Sequence, residues 1–425
     1  MQLSPTTSNL KLVYQTTAIV AAATVFSLTG KAQAAGLTGN TVSDQLSQKL
    51  QITLEQNLGN TPGAAVGITT PSGNWFGATG VTNLETQNPV QPDDLFQIGS
   101  ITKTFTSTTM LLLAEEGKVS LEDTLGQWLP DIASNIPNSN NVTIRQLLNG
   151  TSGIGDYVAS LSQEELINSS LLFKNREPEE LVAYIYNQPR FTGVRCYQDF
   201  QWCYPNTGYI LAGMIIEEAT GSTIATEMRN RIFNPLRLDN TFFGEEEEIP
   251  GGYVSGYRDN DGDGVLDDVS DINLSRAWTA GALVSNTQDL TTFSQSLFGG
   301  NLLQTDSLEQ MLTFVDTPEG YSYGLGVMRF DVSGLGVIWG HTGATPGFAA
   351  NMGYFTDFDI TYTDLQNGRP ASNVLNPMLA TVLTHNPEYV PEPGLLWGFL
   401  TLGVMPLCRK QKKTKKGKDY DHNLP

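Results

Sequence analysis

Strand-like runs at residues 62–70 and 74–79 are joined by Pro71-Ser72-Gly73, a hairpin signal, and their only counterparts lie far downstream. Those counterparts are residues 323–330, 336–339 and 380–384. Between them, from about residue 121 to 273, the apolar spacing is mostly helical, at residues 144–148, 164–172, 178–186, 208–219 and 223–231. Strand patterns at the two ends of the chain thus flank a long helical segment. The chain's length allows two or three domains, or one large α/β unit with an insertion. No internal repeat competes with that arrangement.

Inside the early part, residues 95–99 (LFQIG) lead into Ser100, and residues 104–116 read as a helix closed by Gly117. Ser100 is placed at the first helical turn, where unpaired backbone N–H groups and the helix dipole favour developing negative charge. Lys103 follows one turn later on the same face. A hydroxyl beside an amine is the makings of an activated serine nucleophile. Ser8 and Lys11 show the same spacing, so the spacing alone does not identify the nucleophile.

Two further motifs occur in order downstream, Tyr204-Pro205-Asn206 and His341-Thr342-Gly343. With Ser100-x-x-Lys103, they make the chain resemble the penicillin-recognising serine hydrolases. That family includes D-Ala-D-Ala carboxypeptidases, class C β-lactamases, and related esterases and D-aminopeptidases. Residues 144–153 (IRQLLNGTSG), 278–285 (WTAGALVS), 323–326 (YGLG) and 340–348 (GHTGATPGF) extend the likeness, although Gly150 stands where the family usually has histidine. The resemblance covers about residues 60–351. It implies a β-lactamase/transpeptidase-like α/β fold, an antiparallel sheet flanked by helices plus an inserted all-α domain at about 121–275.

It also implies chemistry. Ser100 would form the acyl-enzyme, and Lys103 or Tyr204 would handle its proton. Lys103 can accept a proton only if burial and a neighbouring positive or hydrogen-donating group lower its pKa. Asn206 would hold the substrate amide and Lys103. His341 and Thr342 would bind the substrate's terminal carboxylate, and Gly343 would let the substrate backbone approach. The Ser100 and Ala344 backbone N–H groups would form the oxyanion hole. Histidine at 341 is similar to the carboxypeptidase and D-aminopeptidase branch, and an ordinary histidine is mostly uncharged near neutral pH. The expected activity is D-Ala-D-Ala carboxypeptidase-like, on peptidoglycan peptides and without a required cofactor. Esterase, D-aminopeptidase and β-lactamase are the enzymatic alternatives. A surface penicillin-binding protein without turnover is the non-enzymatic one.

Two other motifs need weighing. Residues 320–324 (GYSYG) fit a Gly-x-Ser-x-Gly elbow, but a turn precedes them and a glycine-rich strand pattern follows, the reverse of the strand-to-helix context an elbow needs. Residues 259–268 (DNDGDGVLDD) match a calcium loop, with Asp259, Asp261, Asp263 and Asp267 as candidate ligands of a structural Ca2+. Position 12 of that loop is Ser270 rather than glutamate.

The net charge of −20 understates the acidity of the middle of the chain. Setting aside the basic tail (409–425) and the two lysines of the first 34 residues leaves about −27. Such a body does not suit nucleic acid, whose phosphates require clustered Lys and Arg. Residues 1–35 read as a signal peptide: Lys11, an apolar run at 17–28, then Ala32-Gln33-Ala34. The hydrolase body is expected over 36–388. Residues 389–425 resemble a PEP-CTERM sorting segment, with Pro391-Glu392-Pro393, an apolar stretch and a basic end. That resemblance implies transient membrane anchoring, an exosortase-like processing partner, and a place on the outer side of the membrane or beyond. Cys196 and Cys203, just before Tyr204, can close a small loop in an oxidising compartment.

Overall fold

In the computed structural model, which describes residues 41–161, 173–332 and 336–385, the front of the chain forms α1 (Asp44–Asn57), β1 (Gly63–Thr70) and β2 (Gly73–Gly80). Three helices that matter for the site follow, α2 (Thr102–Glu115), α3 (Asn206–Thr220) and α4 (Thr287–Phe298). The sheet is completed by β3 (Val315–Asp316), β4 (Ser322–Tyr323), β5 (Met328–Val332), β6 (Gly336–Ala344), β7 (Ala349–Phe355) and β8 (Ile360–Gln366). Helix α5 (Leu375–His385) ends the described chain.

The eight strands pair in the order β3-β4-β5-β6-β7-β8-β1-β2, antiparallel throughout. The front hairpin thus joins the C-terminal strands through β1 against β8, with Val66 opposite Asp364. Every residue of β1 is buried, because both faces of the sheet are covered. Successive side chains of a strand point to opposite faces. Ala64, Val66 and Ile68 accordingly pack with Leu46, Leu50 and Leu54 of α1 and with Met378 and Val382 of α5. Ala65 faces the other core, with Phe105 and Leu111 of α2 and Phe293 of α4.

Residues 380–384, expected as a strand, are the end of α5 instead. A short apolar run does not reveal its own period. Met378, Leu379, Val382 and Leu383 are spaced as one helical face, and that face is buried against α1. At its end the His385 ring lies 3.4 Å from both Ser43 Oγ and Lys49 Nζ. Strands β7 and β8 and helix α4 were not foreseen. In β8 all seven residues are buried, including Thr361, Thr363, Asp364 and Gln366, so no polar alternation marks it as a strand.

The regular structure of segment 121–275 is mainly helical, but it also contains short strands at Cys196–Tyr197, Trp202–Cys203, Phe242–Phe243, Tyr257–Arg258 and Asp267–Asp268. Its apolar residues Ile144, Leu147, Ile210 and Ile215 belong to the same core as Ala65 and Leu365. The insertion therefore shares its core with the sheet. The expected helix at 164–172, the leader at 1–35 and the sorting segment at 389–425 lie outside the described residues. Among the described residues no helix is long and apolar enough to cross a membrane.

Candidate active site

Ser100 stands in a single 3-10 turn, Gly99–Ile101, that runs straight into α2. The turn depends on Gly99, whose φ of +51° is left-handed and where a Cβ would lie 2.6 Å from the Ala344 nitrogen. Thr102 fixes the turn by donating its hydroxyl to the Gly99 carbonyl at 2.7 Å and accepting the Leu283 N–H at 3.1 Å. Lys103 is fully buried. Its Nζ reaches Ser100 Oγ at 3.0 Å and donates to the Ala280 carbonyl at 2.6 Å. Burial lowers the Lys103 pKa to about 7, with Arg195 adding to the effect and Asp156 opposing it. A neutral amine held in this way keeps an N–H on Ala280 and turns its lone pair to the Ser100 hydroxyl.

Tyr204 arrives from a hairpin closed by the Cys196–Cys203 disulfide, with Cys196 directly opposite Cys203. The Tyr204 N–H donates to the Arg195 carbonyl at 3.0 Å, and the Arg195 guanidinium lies 3.6 Å from the Tyr204 ring centre. Lys103 Nζ is 5.1 Å from the same centre. Burial raises the Tyr204 pKa, while Arg195 and the Ser100 hydroxyl pull it back. The resting group is a phenol, which can donate a proton, rather than a phenolate.

Asn206 is the first residue of α3. Its Nδ2 donates to both carboxylate oxygens of Asp156, at 3.1 and 3.0 Å. Lys103 is held by Ser100 and Ala280, not by Asn206. Asp156 is a carboxylate that acts on Lys103, and burial raises its pKa.

At the end of β6, His341 and Gly343 both have partners within the fold. His341 is fully buried, with Nδ1 2.6 Å from the Thr342 carbonyl and Nε2 3.1 Å from the Tyr323 hydroxyl. The carbonyl can only accept, so Nδ1 carries the proton and Nε2 accepts from Tyr323. Burial, with Lys103 nearby, pushes the His341 pKa down to about 3. The ring is neutral and both nitrogens are taken, so it cannot be an ionic anchor for a carboxylate. Gly343 makes room for the chain itself, since a Cβ there would lie 1.9 Å from the Ile98 carbonyl oxygen. Thr342 is half-buried and Ala344 is exposed. Strand β6 is thereby pressed backbone to backbone on the Ser100 turn.

Arg195, Glu319 and Asp156 were missed at the sequence level. Arg195 is paired through two nitrogens with Glu319, which also accepts from Tyr197 at 3.1 Å and Tyr321 at 2.7 Å. Position offers a signal for two of them: Arg195 adjoins Cys196, and Asp156 closely follows the Thr151-Ser152-Gly153 motif. Glu319 has no such signal. The alternative elbow is not assembled, because Ser322 lies within strand β4 rather than at a strand-to-helix turn.

The Asp259–Asp268 loop caps the hairpin of Tyr257–Arg258 and Asp267–Asp268, which pairs in parallel with Gly368–Arg369 just after β8. It belongs to the sheet side rather than to the helices. Asp259, Asp261 and Asp263 each offer an oxygen within 4.8 Å of the others. Asp267 stands apart from this group and accepts the Asn260 N–H at 3.1 Å. Ser270, at position 12, donates its hydroxyl to Asp268 and accepts the Gly256 N–H at 2.8 Å.

Comparison with known proteins places this geometry. The Beta-lactamase family model matches residues 52–383. A penicillin-binding protein of Bacillus subtilis (strain 168) is 28% identical over 332 residues, 74% of this chain and 70% of its own. The crystal structure of a D-stereospecific amidohydrolase from Streptomyces sp. superposes with a TM-score of 0.70 at 31% identity, covering 80% of this chain and 99% of that one. A D-amino acid amidase from Ochrobactrum anthropi SV3 complexed with D-phenylalanine gives 0.69 at 27%, covering 80% and 99%. With the family model matched over most of its length, the chain belongs to the Beta-lactamase family of serine hydrolases.

Proposed function

We propose that the protein is an exported serine hydrolase that opens amide bonds on the carbonyl side of D-configured residues through an acyl-enzyme on Ser100. The observation that carries this reading is Lys103 Nζ, fully buried and 3.0 Å from Ser100 Oγ. In acylation the Ser100 Oγ–carbon bond forms as neutral Lys103 takes the hydroxyl proton. The oxyanion is received by the Ser100 and Ala344 N–H groups. Tyr204, as a phenol, gives a proton to the leaving nitrogen and is reprotonated from Lys103. Water then attacks the ester with Lys103 again as base.

Between the two substrate types favoured by the family, the neutral His341 supports D-amino acid amides and D-aminopeptides over peptides ending in a free carboxylate. Likeness to the D-stereospecific amidohydrolase points the same way. D-Ala-D-Ala carboxypeptidase activity is the second reading, favoured by the half-buried Thr342 at the end of β6 and by likeness to the penicillin-binding protein. Rates on D-phenylalanine amide, on a peptide ending in D-Ala-D-Ala, on a simple ester and on a β-lactam separate the readings. Faster release from the D-amide, absent from Ser100→Ala, is the expected result. Preference for the D-Ala-D-Ala peptide would replace the first reading with the second. Binding of a β-lactam without any turnover would make the protein a binder.

Three further parts of the proposal concern the frame of the reaction. Residues 1–35 and 389–425 would direct export and sorting by a membrane-bound processing enzyme, placing the hydrolase outside the cytoplasmic membrane. The Cys196–Cys203 bridge suits that compartment. Asp259, Asp261 and Asp263 would bind one Ca2+ that braces the loop and takes no part in catalysis.

A further inference from the structure

The Arg195 side chain is held more firmly than an ordinary surface arginine. Two of its nitrogens meet both oxygens of Glu319, and Glu319 is in turn fixed by the Tyr197 and Tyr321 hydroxyls. Its backbone is equally constrained: φ is +59°, a left-handed conformation that non-glycine residues rarely adopt, and Gln201 in the same hairpin has φ +49°. The disulfide joins the residues just after Arg195 and just before Tyr204, so the two are set side by side by covalent bonds. The result is a guanidinium lying 3.6 Å from the Tyr204 ring centre. Lys103 Nζ is 5.1 Å from that centre, which leaves the two cations less than about 9 Å apart.

We propose that Arg195, locked by Glu319 and seated on the Tyr204 ring, is a positioning residue that aims the phenol at Ser100 and sets how readily Lys103 gives up its proton. This rests on Ser100 being the acylated nucleophile. A cation against the ring favours electron density leaving the phenol oxygen, so it makes Tyr204 a better donor to the departing nitrogen. The same charge opposes a second positive charge on Lys103. The other groups facing Lys103 and Tyr204 are Asp156 from the loop after Thr151-Ser152-Gly153, Tyr209 from α3, His341 from β6, Glu319 and Tyr321 from the β3–β4 turn, and Tyr323 from β4. His341 is neutral, the tyrosines are protonated, and Asp156 opposes Arg195. Arg195 is thus the cation that offsets the Asp156 carboxylate.

The test is the pH dependence of acylation, read by intact mass after brief exposure to a β-lactam or D-phenylalanine amide, in the full-length oxidised protein. Arg195→Met removes the charge and should move the acidic limb up by about half a pH unit, with a fall in acylation rate at pH 7. Glu319→Gln leaves the guanidinium unneutralised and should move the same limb down. Arg195→Lys should restore the limb while recovering only part of the rate, because an ammonium cannot pair through two nitrogens. Opposite shifts in the first two variants are what a purely structural role cannot produce. A Glu319→Gln limb that coincides with the wild type overturns the proposal, even if Arg195→Met does not fold. A wild type that forms no adduct on Ser100 would overturn the nucleophile assignment instead, and so be told apart.

Discussion

Around Lys103 every ionisable neighbour is wholly or largely out of water, and each is fixed by partners from elsewhere in the sequence. Ala280, Asp156 and the disulfide hairpin that carries Arg195 and Tyr204 come from three separate segments. In the Asp259–Asp268 loop the carboxylates are mostly exposed and bond to backbone within a few residues: Asp259 to the N–H groups of Gly262 and Gly264, Asp261 to that of Asp263, Asp263 to that of Val265. Burial changes the proton affinity of the first cluster, taking Lys103 to about 7 and His341 to about 3. Exposure leaves the carboxylates of the second in contact with solvent. Reactive chemistry here needs a desolvated amine, whereas a structural cation needs only crowded oxygens near the surface.

The largest effect that would break this contrast comes from Lys103→Met. Acylation of Ser100 should fall at least about a thousandfold, as expected when a general base is removed from an activated serine. The same variant should melt roughly 5 °C higher at pH 6, with a smaller gain at pH 9. The sign follows from linkage. The folded lysine has its pKa near 7, below the ordinary 10.5, so the unfolded chain binds the extra proton between those values. Wild-type stability therefore rises with pH across that window, and the cost of the buried amine is greatest below it. A melting temperature lower than the wild type at both pH values would mean that the amine stabilises the fold.

A smaller effect, read on the unaltered enzyme, sharpens the same side. Acylation rate should climb about tenfold from pH 6 to pH 7.5 and level off above, because the neutral fraction of Lys103 grows through its pKa. A profile already flat at pH 5 would mean that Lys103 is not the base. The smallest effect belongs to the loop. A chelator, or Asp261→Ala, should lower the melting temperature by about 2–4 °C in millimolar calcium while leaving initial rates unchanged. An unmoved melting curve would leave the three aspartates as an ordinary solvated turn, and a lost rate would tie the loop to the chemistry.

What could be read in advance follows the same division. Ser100 and Lys103 were legible because a helix brings i and i+3 together whatever surrounds it. The aspartate loop was legible for the same local reason, and the hairpin of β1 and β2 announced itself through Pro71-Ser72-Gly73. Tyr204, Asn206 and His341 were located by motif, yet their surroundings were not. Nothing near His341 says that Tyr323 and its own neighbour's carbonyl will occupy both ring nitrogens, and nothing near Asn206 says that Asp156 will hold its amide. Glu319 is 124 residues from Arg195 in sequence, so their pairing exists only once β4 is set beside the disulfide hairpin. Strand β8 hides a buried Asp364 among Asn351 and Gln366, whose amides replace the water it loses.

The packing of α1 on α5 has a mechanical consequence. Ser43, at the front of the described chain, and His385, at its end, are within 3.4 Å of each other, and both helices lie on the face of the sheet opposite α2. Tension applied through those two points would pass directly from α1 to α5 and bypass the strands and the cleft. The catalytic residues are out of the load path, so the body could be hung from either end, or from both, without distorting Ser100. The same adjacency makes the fold a ring in all but one bond: a circularly permuted chain, with residues 41 and 385 joined by a short linker and new ends opened in the exposed turn at Gly299–Gly300, should keep its cleft.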